Sequence, residues 1–155
     1  MKSQIILCSG GARSGKSEFA ERLALSTEGR KAYVATGQAF DEEMVDRIKK
    51  HQERRGAIWT NFEVPLHLAK EWQNISQSAD VILIDCLTMF TTNHMMAHGS
   101  IQGQQDANNL EEAVLSELES LLSLIASSDG KTVIFVTNEI GLGIVPDNKL
   151  ARYFR

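Results

Sequence analysis

Lys16, Ser17, His51 and Asp85 are the residues of this sequence whose types and surroundings could do chemistry together. Gly10, Gly11, Ala12, Arg13, Ser14, Gly15, Lys16 and Ser17 read "GGARSGKS", between the apolar run "IILC" and the helical pattern "SEFAERLALS". The spacing G-x-x-x-x-G-K-[ST] between a strand and a helix is that of a phosphate-binding loop, or P-loop. Glycines allow positive φ and a close approach of backbone to oxygen atoms. The exposed N–H groups and the helix N-terminus favour an anion. Lys16 then reaches the β- and γ-phosphates, and the Ser17 hydroxyl can ligate Mg²⁺. "VILID" ends in Asp85, a carboxylate at the end of an apolar strand, where such a site takes its second metal ligand.

A second constellation lies in "DEEMVDRIKKHQERRG", residues 41–56. Acids at its start, bases at its end and a glycine just beyond predict a helix whose charges suit its dipole. Met44, Ile48 and His51 fall on one face of it. A histidine on an apolar face is usually structural, but Lys49, Lys50, Arg54 and Arg55 lie within a turn of this one. Positive neighbours disfavour imidazolium, leaving a nucleophilic ring, and they would neutralise a phosphoryl group under attack. The pattern suits a phospho- or nucleotidyl-histidine intermediate. It suits plain phosphate binding equally.

These groups need a scaffold. Continuous apolar runs at 4–9, 32–36, 80–85 and 132–138 read as strands buried on both faces of a parallel sheet. Helical patterns alternate with them, which indicates α/β architecture with right-handed crossovers. The polar, Met-bearing stretch 91–109, "TTNHMMAHGSIQGQQDANN", has no period and is expected to be a loop or a lid. "DNKLARYFR", 147–155, reads as a helix that stops in mid-pattern.

The chain has 155 residues, 43% of them hydrophobic and 23% charged, as in one ordinary globular domain spanning 1–155. A net charge of −4 argues against a general nucleic-acid binder. Cys8 and Cys86 sit in apolar runs without metal or disulfide spacing, and read as small hydrophobes in a reducing compartment. No apolar run is long enough to span a membrane, and no signal peptide is evident, so a cytoplasmic location is expected. "NIS" at 74–76 is a chance match to a glycosylation acceptor.

Taken together, "GGARSGKS", "YVATGQAFDEEMVDRIKKHQERR", "WTNFE", "VTNEIGLGIVP" and "LARYFR" closely resemble the bifunctional adenosylcobinamide kinase/adenosylcobinamide-phosphate guanylyltransferase family of cobalamin biosynthesis. The resemblance runs from Ile5 to Arg155. It implies a P-loop NTPase-type, RecA-like α/β fold with a mostly parallel sheet flanked by helices. It implies two reactions: phosphorylation of adenosylcobinamide by a nucleoside triphosphate (ATP or GTP), then transfer of GMP from GTP to the new phosphate through a guanylylated histidine. The family's histidine lies four residues after an arginine that matches Arg47, so the role carries to His51; His67, His94 and His98 match no such position. Nucleotide contacts carry to Gly10–Ser17, to Ala35, Thr36 and Gly37, to Gln52, Glu53, Arg54 and Arg55, and to Glu63 and Asp85. A carboxylate at Glu63 could take both N1–H and N2–H of guanine. Mg²⁺ is expected on Ser17 and Asp85, and a homo-oligomer, a trimer, is expected by resemblance. Family members extend further, with another helix and strand, so the chain is expected to be cut short at its C-terminus and to lack the sheet's last strand. A P-loop kinase for another substrate, or a nucleotide-gated binding module, remains open from the residues alone.

Overall fold

The computed structural model describes residues 1–38 and 40–155. Its sheet contains β1 (Gln4–Gly10), β2 (Lys31–Ala35), β3 (Trp59–Glu63), β4 (Val81–Asp85) and β5 (Thr132–Asn138). They lie in the order β1-β5-β4-β2-β3, and every pairing is parallel. The helices are α1 (Lys16–Leu25), α2 (Glu42–Arg55), α3 (Leu68–Ser78), α4 (Leu87–His98), α5 (Gln104–Ser127) and α6 (Lys149–Phe154). Since all strands run the same way, the exits of all of them open onto one edge of the sheet. Glu63 and Asp85 stand at those exits, Lys16 opens the helix that follows β1, and His51 lies in the helix that follows β2.

Alternate residues of the central strands feed two cores, as the pleat requires. Ala32, Val34, Ile82, Ile84, Val133 and Phe135 pack under α3, α4 and α5, against Leu68, Trp72, Ile75, Phe90, Leu121 and Ile125. On the other face Cys8, Tyr33, Trp59, Leu83, Ile134 and Val136 meet Ala20 and Ala24 of α1. Two alanines on one helical face bring α1 close to the sheet, and this fixes the phosphate-binding loop that leads into it. Lysines close the opposite edge. Lys31 donates to the Thr27 and Gly29 carbonyls beyond α1, and Lys131 donates to Ser76 and Ala79 at the end of α3.

The continuous apolar runs appear as β1, β2, β4 and β5, but only the last three are covered on both faces; β1, expected to be so too, is an edge strand. β3 joins them at the sheet's edge, where only Trp59 is buried and the polar residues between face out. β1 forms the other edge, with Ile5 and Leu7 exposed at 46% and 61%.

The expectation of a loop or lid over 91–109 is wrong. Residues 91–98 continue α4, 99–103 form a short turn, and α5 begins at Gln104. The residues that break the apolar period are satisfied locally or held inside. The Thr91 and Thr92 hydroxyls donate to carbonyls four residues back, and Asn93 is buried with its amide engaged. The Cys86 thiol, in the N-cap position, accepts from the Met89 N–H at 3.4 Å, so this cysteine has a part in starting α4. α2 follows its expected span closely. The Asp41 carboxylate accepts from the Met44 N–H, and Gly56 ends the helix at φ 77°.

Candidate nucleotide site and family

The phosphate-binding loop is shaped by three backbone details. Gly15 sits at φ 84° immediately before α1, and Arg13 at φ 57°. The left-handed region costs a non-glycine residue roughly 1–2 kcal/mol, so the loop holds Arg13 against a local preference. At Gly10 a Cβ would meet the Ser14 Oγ at 2.8 Å. Lys16 arches back so that its Nζ donates to the Gly11 carbonyl at 3.1 Å, across the mouth of the loop. Around it a cavity of about 450 Å³ is lined by Arg13, Ser14, Gly15, Lys16, Ser17 and Glu18.

A second cavity of about 310 Å³ adjoins it and shares Ser17. It is lined by Ser17, Glu21, Tyr33, Ala35, Ile48, His51, Arg54, Arg55 and Asp85. The fold therefore brings one P-loop hydroxyl, the histidine of α2, two arginines and the β4 carboxylate to one hollow. A hollow of about 670 Å³ lies on the β1 side of the loop, lined by Gly10, Ser14, Gly15 and Lys16, and others of about 470 and 460 Å³ lie along α4 and α6, lined by none of Ser17, His51 or Asp85.

The positive cluster is not bare. Arg54 and Arg55 both face Glu21, at 3.7 and 3.9 Å, and Lys50 pairs with Asp46 at 2.7 Å. Arg55 also lies over the Tyr33 ring at 3.5 Å and donates to Asn61, while its Nε is buried without a partner. Tyr33 in turn donates its hydroxyl to Asp85 at 2.5 Å. Burial first, and then the Asp85 carboxylate, push the phenol far above its ordinary range, so it remains a donor. Tyr33 and Glu21 were not singled out in the sequence. Tyr33 sat inside "AYVAT" as one more strand residue. Glu21 carried a fainter signal: four residues after Ser17, it shares that residue's helical face.

The other expected contacts are distributed unevenly. Ala35 lines the second cavity. Thr36 is fully buried, and its N–H, carbonyl and hydroxyl are all taken: by the Asp85 carbonyl, the Asn93 amide and the Cys86 backbone. It frames the site from within rather than offering a group to a ligand. Gly37, Gln52 and Glu53 border neither cavity, and Gln52 is half-buried while Glu53 is exposed. Glu63 is exposed at the end of β3, outside both cavities. Four strand spacings separate β1 from β3, about 19 Å at roughly 4.8 Å each.

Among the described residues no group of three or more His, Cys, Asp or Glu could cage a metal ion. With the Glu21 carboxylate facing Arg54 and Arg55 and the Tyr33 hydroxyl donating to Asp85, the donors left to offer a metal are the Ser17 hydroxyl and the Asp85 carboxylate, with room for phosphate oxygens and water. This is the hard, sparse protein ligation that Mg²⁺ accepts. No helix among the described residues is long and apolar enough to cross a membrane.

Comparison with solved structures places the fold. An ATPase of a type III secretion system of pathogenic bacteria superposes with a TM-score of 0.61 at 13% identity, over 96% of this chain and 46% of its own. The ATPase EscN of enteropathogenic Escherichia coli gives 0.59 at 15% identity, over 88% of this chain and 38% of its own. The architecture is thus the RecA-like P-loop NTPase fold. Sequence relatives are more specific. The bifunctional adenosylcobalamin biosynthesis protein CobU of Escherichia coli (strain K12) is 37% identical over 153 residues, covering 97% of this chain and 83% of the relative. CobU of Salmonella typhimurium is 40% identical over the same shares, and CobP of Pseudomonas aeruginosa is 40% identical over 145 residues, 94% and 77%. The sequence pattern described as cobinamide kinase / cobinamide phosphate guanyltransferase matches residues 6–155. With its phosphate loop, α2 histidine and strand-end carboxylate inside that match, the chain belongs to the cobinamide kinase / cobinamide phosphate guanyltransferase family.

Proposed function

We propose that this chain phosphorylates adenosylcobinamide with a nucleoside triphosphate and then transfers GMP from GTP to adenosylcobinamide phosphate through a guanylylated His51. The observation that carries the reading is that His51, Arg54, Asp85 and Ser17 line one cavity adjoining the phosphate loop. In the kinase step the substrate hydroxyl attacks the γ-phosphorus, and a nucleoside diphosphate leaves. Lys16 and the loop N–H groups hold the charge that builds on the phosphate oxygens. In the transferase step an unprotonated nitrogen of His51 attacks the α-phosphorus of GTP. A P–N bond forms, the bond to the β-phosphate oxygen breaks, and pyrophosphate leaves. The phosphate of the first product then attacks the same phosphorus, the P–N bond breaks, and adenosylcobinamide-GDP is released. Arg54, on the same cavity wall, suits the charge on the phosphoryl group in transit.

Ser17 and Asp85 are the residues that would hold Mg²⁺, with Tyr33 orienting the carboxylate. A bound Mg²⁺ would neutralise phosphate charge and fix the triphosphate's geometry. Glu63 is read as the guanine partner, its two oxygens meeting N1–H and N2–H. We also read the protein as a homo-oligomer, a trimer. What favours association is the apolar turn after β5, where Leu142, Ile144 and Val145 are exposed at 90%, 96% and 63%. Light scattering on the purified protein tests that point.

The deciding experiment incubates the protein with α-labelled GTP and Mg²⁺ and then denatures it. Acid-labile label on wild type, lost in His51→Ala, is expected. No label on wild type, or label that persists in the variant, refutes the covalent role. The kinase step is expected to tolerate His51→Ala far better than the transferase step, since phosphoryl transfer rests on positioning and charge.

A further inference from the structure

Asn93 is 3% exposed in the middle of α4, where asparagine is a poor helix former. Its amide nitrogen donates to the Thr36 carbonyl at 2.6 Å and to the Pro65 carbonyl at 3.0 Å. Both partners can only accept, which fixes the amide's orientation. Thr36 lies one residue beyond β2, and Pro65 two residues beyond β3. The Val64 N–H adds a bond to the Ala35 carbonyl at 2.9 Å. Thr36 carries the connection onward. Its hydroxyl donates to the Cys86 carbonyl at 2.6 Å and accepts from the Cys86 N–H at 2.9 Å, next to Asp85. A buried polar pair thus ties the exits of β2, β3 and β4 into one frame, with Asp85 at one end and Glu63 at the other.

We propose that Asn93 is a positioning residue for nucleobase selectivity: it locks the β3 exit to the β2 exit and so sets Glu63 at a fixed reach from the phosphate end of the site. This rests on reading Glu63 as the guanine partner. The chemistry leaves little choice at position 93. Leucine has the volume but no donor, and glutamine is one methylene too long for the space. A carboxylate would set its oxygens against two carbonyl oxygens. A buried carbonyl left without its donor is unfavourable enough to let the β3 exit move.

The test measures the dissociation constants of GDP and IDP by calorimetry for wild type, Asn93→Asp and Glu63→Gln. IDP lacks the 2-amino group that the second Glu63 oxygen would take, and neither measurement depends on His51. For Asn93→Asp the GDP-over-IDP preference is expected to fall about 10-fold, the size of one lost hydrogen bond to a charged group. Preference should return in part as pH is lowered from 8 to 6, because the introduced carboxyl regains a donor on protonation. A mere packing role would weaken both ligands equally, without pH dependence, and would overturn the proposal. If Asn93→Asp gives no cooperative thermal transition, Asn93→Ser, whose shorter hydroxyl reaches at most one carbonyl, is read by the same ratio. If Glu63→Gln abolishes the preference while the position-93 variants keep the wild-type ratio, the clamp is wrong and the guanine reading stands. If Glu63→Gln keeps the wild-type ratio, both fall.

Discussion

At the scale of single residues, the site divides into groups that would touch the nucleotide and groups that hold those. Lys16 belongs to the first kind. With its ammonium already bridging the loop mouth, Lys16→Ala is expected to lower both half-reactions by about 10²-fold or more, the usual cost of one preorganised charge donor. Separate assays of adenosylcobinamide phosphorylation and of GTP labelling check this, and damage to one alone would contradict a shared triphosphate grip. Tyr33 belongs to the second kind. Removing its hydroxyl frees Asp85 to rotate, and orienting partners of ligands commonly affect metal affinity by about 10–100-fold. Tyr33→Phe is therefore expected to raise the Mg²⁺ concentration for half-maximal activity about 10-fold at little cost to stability. An unchanged Mg²⁺ titration would remove Tyr33 from the account. The contrast explains what the sequence could convey. Lys16, Ser17 and His51 carry their chemistry in type and spacing. Tyr33 matters only because the β2–β4 register, Ala35 beside Asp85, brings its ring toward a carboxylate 52 positions later in the chain.

Among the elements, α2 is the least anchored for the work assigned to it. None of its residues is buried, and among the described residues its polar hold on the body is the pairing of Arg54 and Arg55 with Glu21, the Arg55 hydrogen bond to Asn61 and the stacking of Arg55 on Tyr33. Glu21→Ala is expected to raise amide hydrogen exchange through Glu42–Arg55 and to slow His51 labelling about tenfold, leaving exchange in β4 and β5 unchanged, an outcome that argues from local opening rather than global unfolding. Had α2 been fixed by its own apolar face, exchange would not respond. α5 is its opposite: Leu121 is 1% exposed within the main core. Leu121→Ala is expected to cost about 3 kcal/mol, read by denaturant titration, with nucleotide affinity spared. Legibility follows the same line. α2 was readable because its caps and charge order are local signals, and β2, β4 and β5 because burial on both faces leaves continuous apolar runs; β1 carries such a run although it is an edge strand. α4 was not, since Thr91, Thr92 and Asn93 find their partners through geometry that no period records.

For the whole molecule, acid is the revealing variable. The Arg30 guanidinium and backbone N–H on Asp80 hold that carboxyl well below its usual range. A depressed folded value means stability that is present above about pH 4, the unfolded value, and is lost as pH falls through the folded one. Asp80 is partly open to solvent, so the effect is modest, on the order of 1 kcal/mol. His94 adds to it. Burial lowers its pKa, so protonating it works against the fold as pH drops below about 6.5. Thermal midpoints are thus expected to decline from pH 7 to 5, and more steeply below 4, with Asp80→Asn removing much of the lower limb. A flat profile down to pH 3 would contradict both assignments.

Ser17 borders both cavities, and this shared boundary has a consequence for timing. Under the proposed reading, in which this hydroxyl holds the metal of a bound triphosphate, it cannot serve two triphosphates at once, and the two half-reactions would take turns on one chain. A triphosphate bound for phosphorylation should then act as a competitive brake on the proposed guanylylation of His51, and a chain already carrying GMP should take up the next triphosphate only once pyrophosphate has gone.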